Sequence, residues 1–344
     1  MTDHPRDTGP QRDAPVDTLD SDLAIRAETA EKAIAGRTPA QLARARLGRD
    51  KITMGVLTVV VLAVVVAVVA PLLSRLGVLD PNSFHGELID PNTGGLPKSG
   101  TPGGMSLSHP LGLEPGTGRD VLSRILLGMT FSMIVSLSAT VISIVGGTAL
   151  GVVAGFRGGK SDFFITRFID MMLSFPQTLM LLALSGMFIQ RLTSLGVPAG
   201  NPSNGLYIIL VLGIFAIPYI ARIIRGQVLS LREREFIEAA RSLGARNGRI
   251  YVKELVPNLW APILVYFTLL LPVNVSAEAT LSFLGVGIQP PTPTLGNILK
   301  YSVNYAPADF TFFFYPALTI AVLVISFSLL GDGLRDAFDP KAGR

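Results

Sequence analysis

The chain has 344 residues, of which 49% are apolar and only 16% are charged, and its mean hydropathy is +0.49. This composition is typical of a membrane protein and argues against a soluble domain. The formal net charge is +4, and the chain has no cysteine, so disulfides and cysteine-based metal or redox sites are excluded.

The first 73 residues predict a tail followed by a membrane anchor. Residues 1–36 are rich in Asp, Pro, Thr and Arg and hold few large apolar groups, so we predict a disordered cytoplasmic tail there. Residues 37–73 combine a basic juxtamembrane segment with the first transmembrane helix. The basic run 39–51 fits a helix that lies on anionic lipid, and it fits equally well a stop-transfer cluster that only sets orientation.

Six apolar stretches are long enough to cross about 30 Å of hydrocarbon. The first begins too late and runs too long for a cleaved signal peptide, so we expect it to remain as an anchor. The sequence therefore predicts an all-α polytopic membrane protein with six transmembrane helices. The stretches lie at 52–73, 125–156, 163–190, 206–231, 257–284 and 311–331.

The segment 74–124 is rich in Pro and Gly and forms a long extracytoplasmic loop after the first stretch. Loops of this length are often functional. Two interpretations stay open: contact with an extracytoplasmic binding protein, and an insertion that packs on the outer surface. The loop also holds His85 and His109, which are weak evidence for a metal site because no acidic cluster lies near them in the sequence.

The second stretch carries Gly147, Gly151 and Gly155, one glycine at every fourth position. Such a stripe of small residues lets helix backbones approach each other closely in lipid. We favour packing of this stripe within the chain over contact with a partner subunit.

The same stretch ends in the residues AGFRGGKS at 154–161, which are one glycine short of a phosphate-binding loop. A true phosphate-binding loop follows a buried strand and opens a helix in a soluble α/β unit. This run instead follows some thirty apolar residues. We therefore expect no nucleotide binding here.

Few ionisable residues interrupt the later stretches. Asp170 lies three residues after Arg167, which predicts an i,i+3 ion pair. Glu278 lies toward the outer end of the fifth stretch, where a carboxylate is a functional candidate and, equally, a group that locks the helix end by hydrogen bonding. Uncharged polar residues lie near the helix-breaking Pro176 and Pro272. We predict a translocation path lined by Ser174, Pro176, Gln177, Thr178, Asn274, Ser276 and Glu278.

Residues 233–258 read EREFIEAARSLGARNGRIYVKELVPN and lie between two apolar runs. Their nine ionisable side chains would cost roughly 25 kcal/mol in lipid, at about 3 kcal/mol each, so this segment must face water. Apolar residues at helical spacing predict a short amphipathic helix over 235–245 with one apolar stripe and one charged face. Gly244 then permits a turn, and Pro257 suits the first turn of the next helix. The stripe consists of Phe236, Ile237, Ala240 and Leu243.

The distribution of Lys and Arg gives the orientation in the membrane. With the N-terminus inside, the inner segments hold 23 of the 29 basic residues and the outer segments hold six. We therefore predict that both termini and 233–256 are cytoplasmic. The predicted outer segments are 74–124, 191–205 and 285–310.

Several motifs occur in the order of a known family. Glu238-Ala239-Ala240, followed after three residues by Gly244 and later by Val256-Pro257, resembles the EAA loop of ABC-importer permeases. Further motifs resemble the peptide/nickel branch of that family. The resemblance covers about residues 40 to 340 and points to the second of the two permeases in dipeptide and oligopeptide systems. These further motifs are HPLG at 109–112, GRDVLSR at 118–124, EATLSFLG at 278–285, QPPTP at 289–293 and GDGLRD at 331–336.

The resemblance implies a type I ABC-importer permease fold with its core at 125–335 and a cytoplasmic tail at 336–344. It implies that 235–245 is a coupling helix that docks on a cytoplasmic ATPase. The implied partners are a second homologous permease, two ABC ATPase subunits or domains and an extracytoplasmic solute-binding protein, in a bacterial cytoplasmic membrane. Nucleic acid is not expected, and neither is enzymatic activity or a bound cofactor, since ATP and Mg would belong to the ATPases. The implied docking residues are Phe236, Glu238, Ala239, Ala240, Arg241, Leu243 and Gly244.

The substrate class implied by the resemblance is di- or oligopeptides, with nickel chelates as the alternative. A nickel path would favour histidine or several carboxylates at mid-depth, and none of the six stretches contains histidine. An ion-coupled secondary carrier, the alternative from another class, would need ionisable groups near the bilayer midplane. We therefore predict peptide import driven by ATP hydrolysis on another chain.

Overall fold

The computed structural model of the chain describes residues 45–98 and 101–338. Helices dominate because an apolar chain in lipid must satisfy its backbone hydrogen bonds internally. The predicted tail at 1–36 and residues 339–344 lie outside the described part, whereas 336–338 continue the last helix. The described helices of eight or more residues are α1 (Lys51–Arg75), α2 (Val121–Arg157), α3 (Gly159–Leu173), α4 (Gln177–Ser194), α5 (Asn201–Leu231), α6 (Glu235–Ser242), α7 (Trp260–Phe283), α8 (Leu295–Tyr305) and α9 (Phe310–Phe338).

The remaining elements are short and lie in two long connections. Between α1 and α2, strands β1 (Ile89–Asp90) and β2 (Leu96–Pro97) form an antiparallel pair with Ile89 opposite Pro97. The same connection holds three 3₁₀ turns, and the connection between α6 and α7 holds three helical turns, the middle one π-helical. The 3₁₀ turns are Gly86–Leu88, Pro91–Thr93 and Pro102–Gly104, and the helical turns are Asn247–Arg249, Ile250–Leu255 and Val256–Asn258.

Helices α1, α2, α5, α7 and α9 are each long and apolar enough to cross a membrane, and α3 and α4 qualify only as a pair bent by 88°. The prediction of six spans is confirmed when this pair counts as one span. The stretch 163–190 is interrupted at Pro176, which the sequence had indicated as a helix-breaking residue. Pro176 is the N-cap of α4 and breaks the helix, because it has no N–H to donate and it disfavours helical backbone in the preceding residue.

Helices α2 and α5 pack through the glycine stripe, so the prediction of packing within the chain is confirmed. A Cβ atom on Gly151 would lie 2.7 Å from the carbonyl oxygen of Ala221, and one on Gly155 would lie 2.9 Å from Val228. Ser143 adds a hydrogen bond from its hydroxyl to the carbonyl oxygen of Gly213, at 2.9 Å. The two backbones are therefore too close for any side chain at the stripe.

Ion pairs join α3 to α5. Arg225 donates two hydrogen bonds to the carboxylate of Asp162, at 2.5 and 2.7 Å. Asp170 pairs with Arg222. The predicted pair between Asp170 and Arg167 is therefore wrong, because the closely packed α5 offers a cation to the same carboxylate across the helix interface.

Helix α1 packs at the periphery of the bundle, against α2 and α9. Thr130 of α2 donates a hydrogen bond to the carbonyl oxygen of Ala67 at 2.9 Å, and Asp50 caps the first turn of α1 through the Ile52 N–H at 3.0 Å. At the same end of α1, Thr53 lies against Gly333 of α9 so closely that a Cβ atom on the glycine would clash.

Candidate coupling and translocation sites

Helix α6 is the short amphipathic helix predicted over 235–245. Its inner side is anchored by Ile237, which is 0% exposed and packs in a cluster with Ile220, Ile224 and Val228 of α5. Ala240 packs against the same cluster. The helix therefore rests on the C-terminal half of α5 through two of the four residues of the predicted stripe.

The other two residues of that stripe point away from the protein. Phe236 is 37% exposed, and Leu243 is 89% exposed. The stripe is therefore divided between a buried and an exposed pair, since an eight-residue helix lying on one cluster can bury only a narrow strip. Glu238 and Ala239 are also exposed. The outward surface of α6 therefore combines the apolar side chains of Phe236 and Leu243 with the carboxylate of Glu238.

The turn after α6 depends on Gly244, whose φ angle is +78°. A side chain there would meet no atom of this chain within 4 Å, so the backbone conformation and not space demands glycine. Pro257 lies in the first turn of Val256–Asn258, as predicted, and that turn leads into α7.

Arg241 contacts the chain's own membrane domain. Its guanidinium carbon lies 4.6 Å from the centroid of the Phe156 ring, at the C-terminal end of α2. Phe156 in turn meets Tyr251 edge-on, with ring centroids 5.2 Å apart. Two predicted docking residues, Ala240 and Arg241, are thus engaged within the chain, while Phe236, Glu238 and Leu243 point outward.

Two of the predicted translocation residues line one groove. Gln177 at the start of α4 and Asn274 of α7 border a cavity of about 310 Å³, together with Tyr219 and Tyr266. Asn274 is buried and donates a hydrogen bond to the Thr140 hydroxyl at 2.8 Å, so its amide is held in place. The wall of this groove is uncharged and partly aromatic.

The other predicted path residues are dispersed. Ser174 is the C-cap of α3, and its hydroxyl donates a hydrogen bond to the Met171 carbonyl oxygen at 2.7 Å. Pro176 and Thr178 are exposed at the break before α4, and Ser276 is half-buried on α7. None of these four lines the groove of Gln177 and Asn274.

Glu278 does not line this groove and lies in a fully buried contact region between α2, α7 and α8. Its side chain is 0% exposed, and its Oε1 atom accepts a hydrogen bond from Ser282 at 2.7 Å. Its Oε2 atom is buried without a hydrogen-bond partner among the described residues, and the Ser132 hydroxyl of α2 accepts a hydrogen bond from the Leu295 N–H of α8 at 3.3 Å. Thr294 caps α8, and the C-terminal end of α7 lies against both α8 and α2.

The connection between α1 and α2 is held by buried charges whose pairing the sequence did not predict. Glu114 accepts two hydrogen bonds from Arg119, at 2.6 and 2.9 Å, and lies 3.3 Å from Arg124. Arg124 also donates to the carbonyl oxygens of Pro81 and Pro291. The sequence signal for these ion pairs was the GRDVLSR run, which contains Arg119 and Arg124. Basic side chains that are buried where a helix begins require acidic partners.

The two histidines of this loop lie together, with ring centroids 5.1 Å apart. His109 contacts Asp120 through Nδ1 at 3.1 Å, and Asp120 caps α2 through the Ser123 N–H. Within residues 45–98 and 101–338, no group of three or more His, Asp or Glu side chains could hold a metal ion.

Comparisons with known proteins place the chain in a family. Residues 147–344 match the family described as "Binding-protein-dependent transport system inner membrane component". The glutathione transport system permease protein GsiD of Pectobacterium atrosepticum is 36% identical over 242 residues, which cover 69% of this chain and 74% of the relative. The dipeptide transport system permease protein DppC of Alkalihalophilus pseudofirmus is 36% identical over 238 residues, with the same coverage.

A solved structure supports the fold. An inward-facing MetNI methionine ABC transporter aligns with a TM-score of 0.50 and 21% sequence identity, over 63% of this chain and 97% of that chain. The fold is therefore that of type I ABC-importer permeases, as predicted. The chain belongs to the binding-protein-dependent transport inner membrane components and is a multi-pass permease subunit of an ABC importer.

Proposed function

We propose that this permease imports di- or oligopeptides and that α6 is its coupling helix. The observation that carries the coupling role is the outward surface of α6, where Phe236, Glu238 and Leu243 are exposed while Ile237 anchors the helix. A partner ATPase that binds this surface can push on α6 without unfolding it, because the buried side chain ties the helix to α5.

The proposed assembly contains a second homologous permease, two ABC ATPase subunits or domains and an extracytoplasmic solute-binding protein. ATP and Mg would bind to the ATPases, and this chain would bind no cofactor. Both termini and α6 would face the cytoplasm, following the excess of Lys and Arg on that side. Alternating access would then expose the groove of Gln177 and Asn274 to each side in turn.

Peptides are the substrates that this groove and the relatives favour. The two relatives are named for glutathione and dipeptide transport. The groove offers the amides of Gln177 and Asn274 between aromatic side chains and no fixed charge. Amides can exchange hydrogen bonds with a peptide backbone whatever its side chains are. A nickel path would call for imidazole or several carboxylates instead.

Reversing the charge of Glu238 tests the coupling role. We expect Glu238→Arg to lower substrate-stimulated ATP hydrolysis by roughly tenfold or more, because it reverses the charge at the proposed contact. The chain should still insert, since Glu238 is exposed. The matched control is Asp336→Arg on α9, which makes the same charge change at an exposed carboxylate outside α6. Normal stimulation in the Glu238→Arg transporter, measured in proteoliposomes, would contradict the docking role.

Cysteine labelling tests the topology cleanly because the chain has no cysteine. Single cysteines at the exposed Ser83 and Asn304 should react with an impermeant maleimide in intact cells, and one at Asn247 should react only after lysis. Asn297, which also lies in α8, is unsuitable for labelling because it is buried and completes the capping box of that helix. Labelling of position 247 from outside would reverse the proposed orientation.

Uptake assays in a deletion strain test the substrate class. Restoring this permease should restore sensitivity to a toxic peptide analogue and leave the uptake of radioactive nickel unchanged, because the groove has no nickel-type ligands. If the gene restored nickel uptake without affecting the peptide analogue, the order of the two substrates would be reversed.

A further inference from the structure

The C-terminal end of α2 is held by two arginines from the segment that follows α5. Arg232 donates a hydrogen bond to the carbonyl oxygen of Gly155 at 3.1 Å. Arg241 of α6 lies over the ring of the next residue, Phe156, at 4.6 Å. These contacts place α6 against α2 as well as against α5.

Phe156 is the centre of this contact. Its side chain is buried, with Arg241 near the ring face and Tyr251 against the ring edge at an interplanar angle of 85°. Arg241 precedes the turn at Gly244, and Tyr251 follows it in the π-helical turn. The Phe156 side chain of α2 therefore contacts residues on both sides of the turn at Gly244.

Helix α2 cannot slide freely when α6 moves. At Gly151 the α2 backbone approaches the carbonyl oxygen of Ala221 in α5, and Ile237 of α6 lies in the cluster that contains Phe156 and Val228. Tightly packed interfaces of this kind move as units and do not deform continuously. A displacement of α6 must therefore move α2 and α5 together.

We infer that Phe156 is a positioning residue that transmits the movement of the coupling helix to α2. With 37 residues, α2 is about 55 Å long, so it carries this movement to the outer loop. The inference rests on the proposed function, in which an ATPase drives α6.

The test measures transport per ATP hydrolysed in proteoliposomes that contain the complete transporter. Phe156→Leu keeps an apolar side chain but removes the ring, and it should lower this ratio roughly two- to fivefold, as expected for loss of a cation–π contact with the exposed Arg241. Phe156→Trp keeps an aromatic face and should stay closer to the unmodified protein. The matched control is Phe163→Leu, an exposed phenylalanine of α3, which should leave the ratio unchanged.

The outcomes separate this inference from the proposed function. If the ATPases copurify with Phe156→Leu and the ratio is unchanged, Phe156 transmits nothing and the inference is rejected. If no ATPase copurifies with the unmodified chain in mild detergent, the proposed function itself is rejected. A purely structural role would lower the amount of assembled transporter and leave the ratio per assembled complex intact.

A second experiment covers the case in which Phe156→Leu does not accumulate. The cysteine pair Phe156→Cys and Arg241→Cys can be joined by a flexible bifunctional thiol reagent, since no other cysteine competes. We expect the unlinked pair to show a low transport ratio and the linked pair to regain most of it. A low ratio after complete linking would overturn the inference, because the two segments would then be joined without effect.

Discussion

Replacing Gly151 with leucine should prevent the chain from accumulating as a folded membrane protein. The added side chain would begin 2.7 Å from the Ala221 carbonyl oxygen and 2.8 Å from Ile224, where backbone and a β-branched side chain leave no room. Overpacking costs about 1–3 kcal/mol in an adaptable core and more where backbone must move. We expect a loss of most of the monodisperse protein in detergent chromatography.

Gly186 of α4 provides the matched control for this substitution. A Cβ atom there meets nothing within 4 Å, so Gly186→Leu makes the same chemical change without a clash. Normal yield of Gly151→Leu, with an elution profile like that of the control, would show that α2 and α5 separate more easily than the structure indicates.

Glu278→Ala should strongly destabilise the transporter, whereas Glu278→Gln should not. Alanine removes the acceptor for Ser282 and leaves its buried hydroxyl group without this partner, at a cost of about 1–3 kcal/mol. Glutamine keeps the length of the side chain and an acceptor oxygen. The measurement is the thermal unfolding midpoint in detergent, combined with peptide uptake in proteoliposomes.

The glutamine variant also decides which role Glu278 has. If the residue only positions α8 against α2, the Glu278→Gln transporter keeps both its stability and its uptake. If stability is kept and uptake is lost, an ionisable group is needed at this position, and the functional interpretation of Glu278 would replace the structural one.

The sequence predicted the elements that follow from composition and periodicity. Apolar run length fixes where a chain can cross lipid, so five single-helix spans agree with the predicted stretches. The spacing of Gly147, Gly151 and Gly155 is a property of one helix, and it identified the interface without knowledge of the partner helix. The turn at Gly244 followed from local chemistry in the same way.

The remaining features depend on which elements become neighbours. Phe236 and Ile237 are adjacent apolar residues of one short helix, and only the position of α5 decides that Ile237 is the buried one. Asp170 had a cation within its own helix, yet it pairs with Arg222 across an interface. The contact of Arg241 with Phe156 joins residues 85 positions apart, which no periodicity can reveal.

The contact between Thr53 and Gly333 joins the first and the last membrane helix of the chain. A ribosome that adds about 5 to 20 residues per second needs on the order of 15 to 60 s for the roughly 280 residues between them. During that interval α1 is already in the bilayer while its neighbour α9 has not been made. Biogenesis of this protein therefore includes a waiting period in which α1 is available to insertion factors, lipid or membrane proteases, and synthesis of the final helix ends it.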